Sequence, residues 1–229
     1  MRQQWRDLLF AHWRVDPALI QARLPHGLRV DTWRGAAFLG VVPFRMTAVR
    51  LGALPAIPGF SRLLELNLRT YVLDTSGVPG VWFHTLDANH TTAVAVARAF
   101  FHLPYHRADQ TLHRDGRDMI AFCSRRRSGP ERGESVLRWR PGCDLPVPLA
   151  GELTHFLVER YVLYTQAGRA LLRGRIAHAP YRLRQAEATL EVAALFRAHG
   201  FTPPLDPPDH VVACDGTDVA ILGLEQIEG

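Results

Sequence analysis

Residues Leu64 to Val72 read Leu-Glu-Leu-Asn-Leu-Arg-Thr-Tyr-Val. As a strand, this segment places Leu64, Leu66, Leu68 and Val72 on one face and Glu65, Asn67, Arg69 and Tyr71 on the other. A carboxylate, an amide, a guanidinium and a phenol thus share a face. On the outside of a simple sandwich such a face is wet. Inside a closed barrel or cone it lines a pocket, where arginine can grip a carboxylate through two parallel N–H bonds. A second segment, Arg98-Ala-Phe-Phe-His-Leu-Pro-Tyr-His106, carries a helix that must break at Pro104 and leaves Tyr105 and His106 at the start of the next strand. A phenol donates protons and an imidazole exchanges them near neutrality, although taken alone the pair reads first as an ordinary strand start.

The sequence also excludes chemistry. All 27 basic side chains are arginine, since the chain contains no lysine. No lysine Schiff base can form with a carbonyl substrate, and the lysine of phosphate-binding loops is missing. Neither a Gly-x-Ser-x-Gly elbow nor a glycine-rich nucleotide fingerprint is present. The eleven histidines give only loose groupings (His84 with His90, His102 with His106, His155 with Glu159) and no His-Glu-x-x-His or Cys-x-x-Cys motif. No metal or other cofactor is expected.

Net charge is +5, but the arginines are scattered. The single run, Arg125-Arg126-Arg127, precedes Ser128 to Glu134, which reads as a hairpin turn with acids opposite bases and hence a solvated strand end. Aromatics do not alternate with the basic residues as a base-stacking surface requires. Nucleic acid is not an expected partner; a small molecule is. Cys123, Cys143 and Cys214 have no paired spacing, the start Met1 to Asp7 is polar, and no apolar run reaches membrane-spanning length. These features predict a cytoplasmic protein without membrane attachment.

The elements that must hold these residues are short. Asp16-Pro17 predicts a helix through Arg23, with Asp as cap and Pro at the first position. Strand patterns follow at 28–33, 36–50, 64–73 and 81–87, with a proline-rich loop over Leu54–Gly59. Asn89 caps a predicted helix over His90–His102, whose Ala93, Ala95, Ala97 and Ala99 suggest a buried face. Further strands are predicted at 105–112, 117–125, 134–140, 161–165 and 170–177, and a last helix at Thr189–His199, closed by Gly200. Many short strands with few helices argue for a single β-rich α+β domain, its mainly antiparallel sheet closed or folded over on itself.

Several motifs together carry a family resemblance: His12-Trp-Arg-Val-Asp-Pro17, Val41-Val-Pro-Phe-Arg-Met46, Trp82-Phe-His-Thr-Leu-Asp-Ala88, His155-Phe-Leu-Val-Glu-Arg-Tyr161 and the two segments above. They resemble the YqjF-like family of uncharacterised bacterial proteins, grouped with the acetoacetate decarboxylase-like superfamily, and the match spans nearly the whole chain. The resemblance implies a β-cone or double barrel with a few helices. It also implies that His102-Leu103-Pro104 stands at the turn after which the decarboxylases carry two lysines, so that Tyr105 replaces the nucleophile and His106 its neighbour. Glu65 falls near a glutamate those enzymes keep in the pocket. Phenol and imidazole form no imine, so decarboxylation by that route is excluded.

Three readings follow: a lysine-independent acid–base enzyme, a non-catalytic binder of an organic acid or similar metabolite, and a structural or interaction protein whose cavity is filled by side chains. The pocket readings assign acid–base roles to Tyr105, His106 and Glu65. They assign ligand contacts to Arg69, Arg98, Asn67 and Tyr71.

Overall fold

The computed structural model describes residues 1–50, 63–127 and 133–227. The loop expected over Leu54–Gly59 and most of the turn over Ser128–Glu134 lie outside them. In chain order the elements are β1 (Arg2–Val15), α1 (Pro17–Gln21), β2 (Leu28–Val30), β3 (Ala37–Arg50), β4 (Leu63–Asp74), β5 (Pro79–Ala88), α2 (Thr91–Phe101), β6 (Tyr105–Arg114), β7 (Ile120–Arg126), β8 (Glu134–Asp144), α3 (Leu153–Val158), β9 (Val162–Ala167), β10 (Ala170–Ala177), β11 (Leu183–Glu191), α4 (Ala193–Arg197) and β12 (His210–Ile227). The first helix starts as its sequence dictates: Asp16 accepts the Ala18 N–H at 2.8 Å and Pro17 opens the first turn.

The strands form one mixed sheet in the order β10-β9-β5-β6-β7-β8-β11-β12-β1-β3-β4-β2, with β10 also pairing β12 and β5 also pairing β4. These two extra pairings make two closed circuits. One runs β12-β1-β3-β4-β5-β9-β10 and the other β12-β1-β3-β4-β5-β6-β7-β8-β11, so the circuits share β12, β1, β3, β4 and β5. Most neighbours are antiparallel; β5 pairs in parallel with both β6 and β9.

Shared strands have two inner faces, and their alternation fills two cores. Leu9, Ala11 and Trp13 of β1 join Leu39 and Val41 of β3, Leu64, Leu66 and Leu68 of β4, and Phe122, Leu137 and Trp139 from β7 and β8. Leu8 and Phe10 face the other way, with Phe38, Val42, Phe44, Tyr71 and Tyr181. Each Leu, Val or Phe among them contributes about 1.5–3 kcal/mol on burial. The polar face of β4 is therefore an interior face: Glu65, Asn67 and Arg69 are all buried.

Several expectations are corrected. Residues 189–191 are not helical; they end β11, with Leu190 opposite Leu137 of β8. Only Ala193–Arg197 form a helix, so strand pairing overrides local helix preference there. Gly200, at φ +72°, follows it in the conformation a C-terminal cap requires. The alanine face of α2 is not buried as a unit: Ala95 and Ala99 are exposed, and among the helix's described side chains the buried one is Val94. The side chains of Ala93 and Ala97 lie outside the described set. In the arginine run, Arg125 and Arg127 are solvated and pair with Glu134 and Asp109, whereas Arg126 is buried.

Candidate functional site

A cavity of about 120 Å³ opens among β1, β3, β4, β5 and the end of α2. Its walls are mostly apolar, including Phe10, Phe44, Leu86, Phe101 and Leu163, and its polar groups include Glu65, Asn67, Arg69 and Tyr105. Three of those four are alternate residues of β4, placed together by the strand's period of two.

Tyr105 arrives by a constrained route. His102 takes φ +52°, a left-handed conformation costing roughly 1–2 kcal/mol for a residue with a Cβ. Thr165 donates to the His102 carbonyl at 2.6 Å, and the Tyr105 N–H closes a tight turn on Leu103 O at 2.8 Å. Parallel pairing then sets Tyr105 beside Leu86 and His106 beside Asp87. Tyr105 thereby faces the cavity and donates its hydroxyl to Glu65 Oε2 at 2.6 Å.

Glu65 also accepts from Asn67 Nδ2 at 3.3 Å. Burial raises its carboxyl to about 7, against the opposing pull of the Tyr105 and Asn67 hydrogen bonds and the Arg69 charge. Burial, with the adjacent Glu65, holds the Tyr105 phenol well above its ordinary value. Arg69 is the uncompensated member. Its Nη2 reaches Leu157 O at 3.4 Å, its Nε has no partner, and no carboxylate stands at ion-pairing distance among the described residues. Its guanidinium carbon lies 5.4 Å from the Phe10 ring centre and 5.7 Å from that of Tyr71. Asn67 Oδ1 is likewise buried without a partner among the described residues.

Three expected site residues are not brought to this cavity. Arg98 is exposed and spends its Nε on the Tyr105 carbonyl at 2.6 Å, so it braces the turn. His106, one residue beyond Tyr105, points to the opposite face, where burial and then Arg126 lower its pKa. There Arg126 Nη2 pairs with Asp87 at 2.7 Å, bonds Thr85 and lies 3.2 Å from His199. Tyr71 is buried but bonds His12 Nε2 at 2.7 Å instead of lining the cavity. Conversely, the cavity walls from β1 and β3 were missed as site residues: Leu8-Leu9-Phe10 is a continuous apolar run in which no alternation marks the cavity side.

The DUF2071 family model (Uncharacterized conserved protein, COG2071) matches residues 2–218. The chain belongs to this family. The Bacillus subtilis (strain 168) "Uncharacterized protein YqjF" is 42% identical over 211 residues, covering 91% of this chain and 85% of that protein. This DUF2071 chain also shares its fold with solved structures at low identity. The enduracididine biosynthesis enzyme MppR complexed with pyruvate superposes with a TM-score of 0.71 at 14% identity, over 99% of this chain and 90% of that one. Acetoacetate decarboxylase from Legionella pneumophila gives 0.63 at 14%, over 100% and 88%. An acetoacetate decarboxylase-like enzyme from Sphingomonas wittichii RW1 gives 0.65 at 16%, over 100% and 93%. The acetoacetate decarboxylase-like fold is thus established for this DUF2071 member. No helix among its described residues is long and apolar enough to cross a membrane.

Proposed function

We propose that this protein holds a small organic acid in the cavity, with Arg69 taking the carboxylate and the apolar walls the remainder. The observation that carries this reading is the buried Arg69 guanidinium, with no anionic partner among the described residues, at the polar end of an apolar space. A buried, unpaired cation is costly, and an incoming carboxylate offsets that cost. The volume suits a ligand of a few heavy atoms. The pyruvate bound by MppR is an acid of that size.

Acid–base catalysis is the second reading, favoured by the Glu65 carboxyl near 7 in contact with the Tyr105 hydroxyl. Glu65 would take or return a proton at carbon while Tyr105 hydrogen-bonds a carbonyl oxygen. Without lysine, no lysine imine takes part.

Native mass spectrometry of protein purified from its own host, followed by denaturation, tests the binding reading. A carboxylic acid retained by the wild type and lost in Arg69→Met is the expected result. Titration with pyruvate and butyrate should show affinity falling roughly 30- to 1,000-fold in that variant, the equivalent of losing about 2–4 kcal/mol of charge-assisted hydrogen bonding. An empty protein that ignores both acids at millimolar concentration overturns the reading. Deuterium exchange into the bound acid, present in wild type and absent in Glu65→Gln, distinguishes catalysis from retention.

A further inference from the structure

Strand register aligns a row of residues that leads to Arg69 from outside the cavity. His210 of β12 stands opposite His12 of β1, His12 opposite Gly40 of β3, and Gly40 opposite Arg69 of β4. Gly40 leaves a gap in that row. A Cβ there would lie 2.9 Å from His12 Cδ2 and 3.3 Å from the Tyr71 hydroxyl. Tyr71, two residues beyond Arg69, fills the gap and meets His12 Nε2 at 2.7 Å. His12 Nδ1 in turn meets His210 Nδ1 at 3.1 Å, and His210 Nε2 meets Thr154 Oγ1 at 3.1 Å.

The direction of these bonds follows from the inventory of donors. A neutral imidazole has one donor and one acceptor, so only one of the two facing Nδ1 atoms carries a proton. His12 is neutral: burial, His210 and Arg69 all oppose its protonation. If Tyr71 donates to His12 Nε2, His12 donates to His210 and His210 to Thr154, and every link is made. That order leaves the Tyr71 oxygen lone pairs free for Arg69: burial raises the phenol, and the charge and a hydrogen bond of Arg69 oppose that rise. The reverse order spends a lone pair on His12 and leaves the phenolic hydrogen without that acceptor.

Tyr71 is itself fixed between two guanidinium groups, with Arg160 Cζ 5.2 Å from its ring centre and Arg69 Cζ at 5.7 Å. Arg160 is occupied by Asp31 at 2.8 Å and by Phe156 O at 2.7 Å. Among the described residues Arg69 has no such tether to an acid.

We propose that Tyr71, locked by His12 and His210, is the positioning residue that aims the Arg69 guanidinium into the cavity. This rests on reading Arg69 as the carboxylate anchor, and it assigns function to three residues outside the cavity wall.

The test combines nitrogen NMR with ligand affinity. In the wild type, His12 should carry its proton on Nδ1, and the Arg69 Nη signals should be resolved because rotation is restricted. In Tyr71→Phe and His12→Leu those signals should average. Butyrate should bind about tenfold more weakly, whereas neutral butyramide should bind as before. His12→Gln, which keeps an acceptor for the Tyr71 hydroxyl, should restore both readouts. A wild-type His12 protonated on Nε2 overturns the proposal even if no variant folds. So do variants whose Arg69 signals and butyrate affinity match wild type. A wild type with an immobile Arg69 and no butyrate binding overturns the anchor reading alone and leaves the positioning role standing.

Discussion

The Tyr105 hydroxyl lies 2.6 Å from Glu65 Oε2 and joins two strands whose contacting residues are 40 apart in sequence. Because the phenol donates, it stabilises the ionised carboxylate against the burial that favours the neutral acid. Tyr105→Phe should therefore raise the Glu65 midpoint further, by about one pH unit if the bond contributes a typical 1–1.5 kcal/mol. A carbon-detected NMR titration of the Glu65 carboxyl measures this. A midpoint that stays put, or falls, contradicts the assigned donor role.

Glu65 also predicts how stability depends on pH. Its carboxyl titrates near 7 in the folded protein against 4.5 for the free group. Between those values the folded state holds a proton the unfolded state has released, so this group's contribution falls as pH rises from 4.5 and is lost by about 7. The full difference is roughly 3 kcal/mol. Relative to wild type, Glu65→Gln should therefore become progressively more stable from pH 4.5 to 8. Denaturant unfolding of both proteins at several pH values decides it, and a constant difference across that range is the contrary result.

Arg69→Met should separate stability from ligand binding. Methionine replaces a buried cation, without an anionic partner among the described residues, by a flexible apolar chain of similar length. The ligand-free variant should melt at or above the wild-type temperature. Thermal stabilisation by pyruvate or butyrate, present in wild type, should disappear. A variant that melts several degrees lower would show that Arg69 is chiefly a structural residue.

How much of this was legible follows from what each residue answers to. The β4 alternation was visible because a period of two needs only local sequence, so Glu65, Asn67 and Arg69 were grouped correctly on one face. Whether that face is wet or enclosed depends on pairings such as β5 with β9, whose register no local pattern encodes. Tyr105 was found from the break at Pro104, but its separation from His106 depends on parallel pairing with Leu86 and Asp87. Arg98 was misread because a basic residue near the turn looks like an anion anchor until its Tyr105 carbonyl partner is known. His12 stood within a recognised motif, yet its partners Tyr71 and His210 lie 59 and 198 residues away.

Acid should unfold the protein through its buried histidines. Burial lowers His84 to about 3, and His199 and His210 to about 4, and His12 falls well below its usual value. Between pH 6.5 and about 4 the unfolded chain binds protons that these folded imidazoles refuse, so stability falls as pH falls. Calorimetry at pH 5 in two buffers of different ionisation enthalpy should report net proton uptake on unfolding. Net release would show that these side chains are charged in the folded state.

On the side of β5 and β6 facing away from the cavity, Asp87 and Arg126 form a buried pair at 2.7 Å, with side chains 4% and 6% exposed. The cost of desolvating both charges offsets most of their attraction, so the pair as a whole adds little stability. Removing one partner is different, because it strands the other charge. Asp87→Leu should cost about 3–5 kcal/mol. The double variant Asp87→Leu, Arg126→Met should recover most of that loss, because no charge remains unpaired. Chemical denaturation of the two single variants and the double closes this cycle, with Arg126→Met alone serving as the second single. If the double variant is as unstable as the sum of the singles, the pair's worth lies in its bonds to Thr85 and His199 rather than in charge compensation.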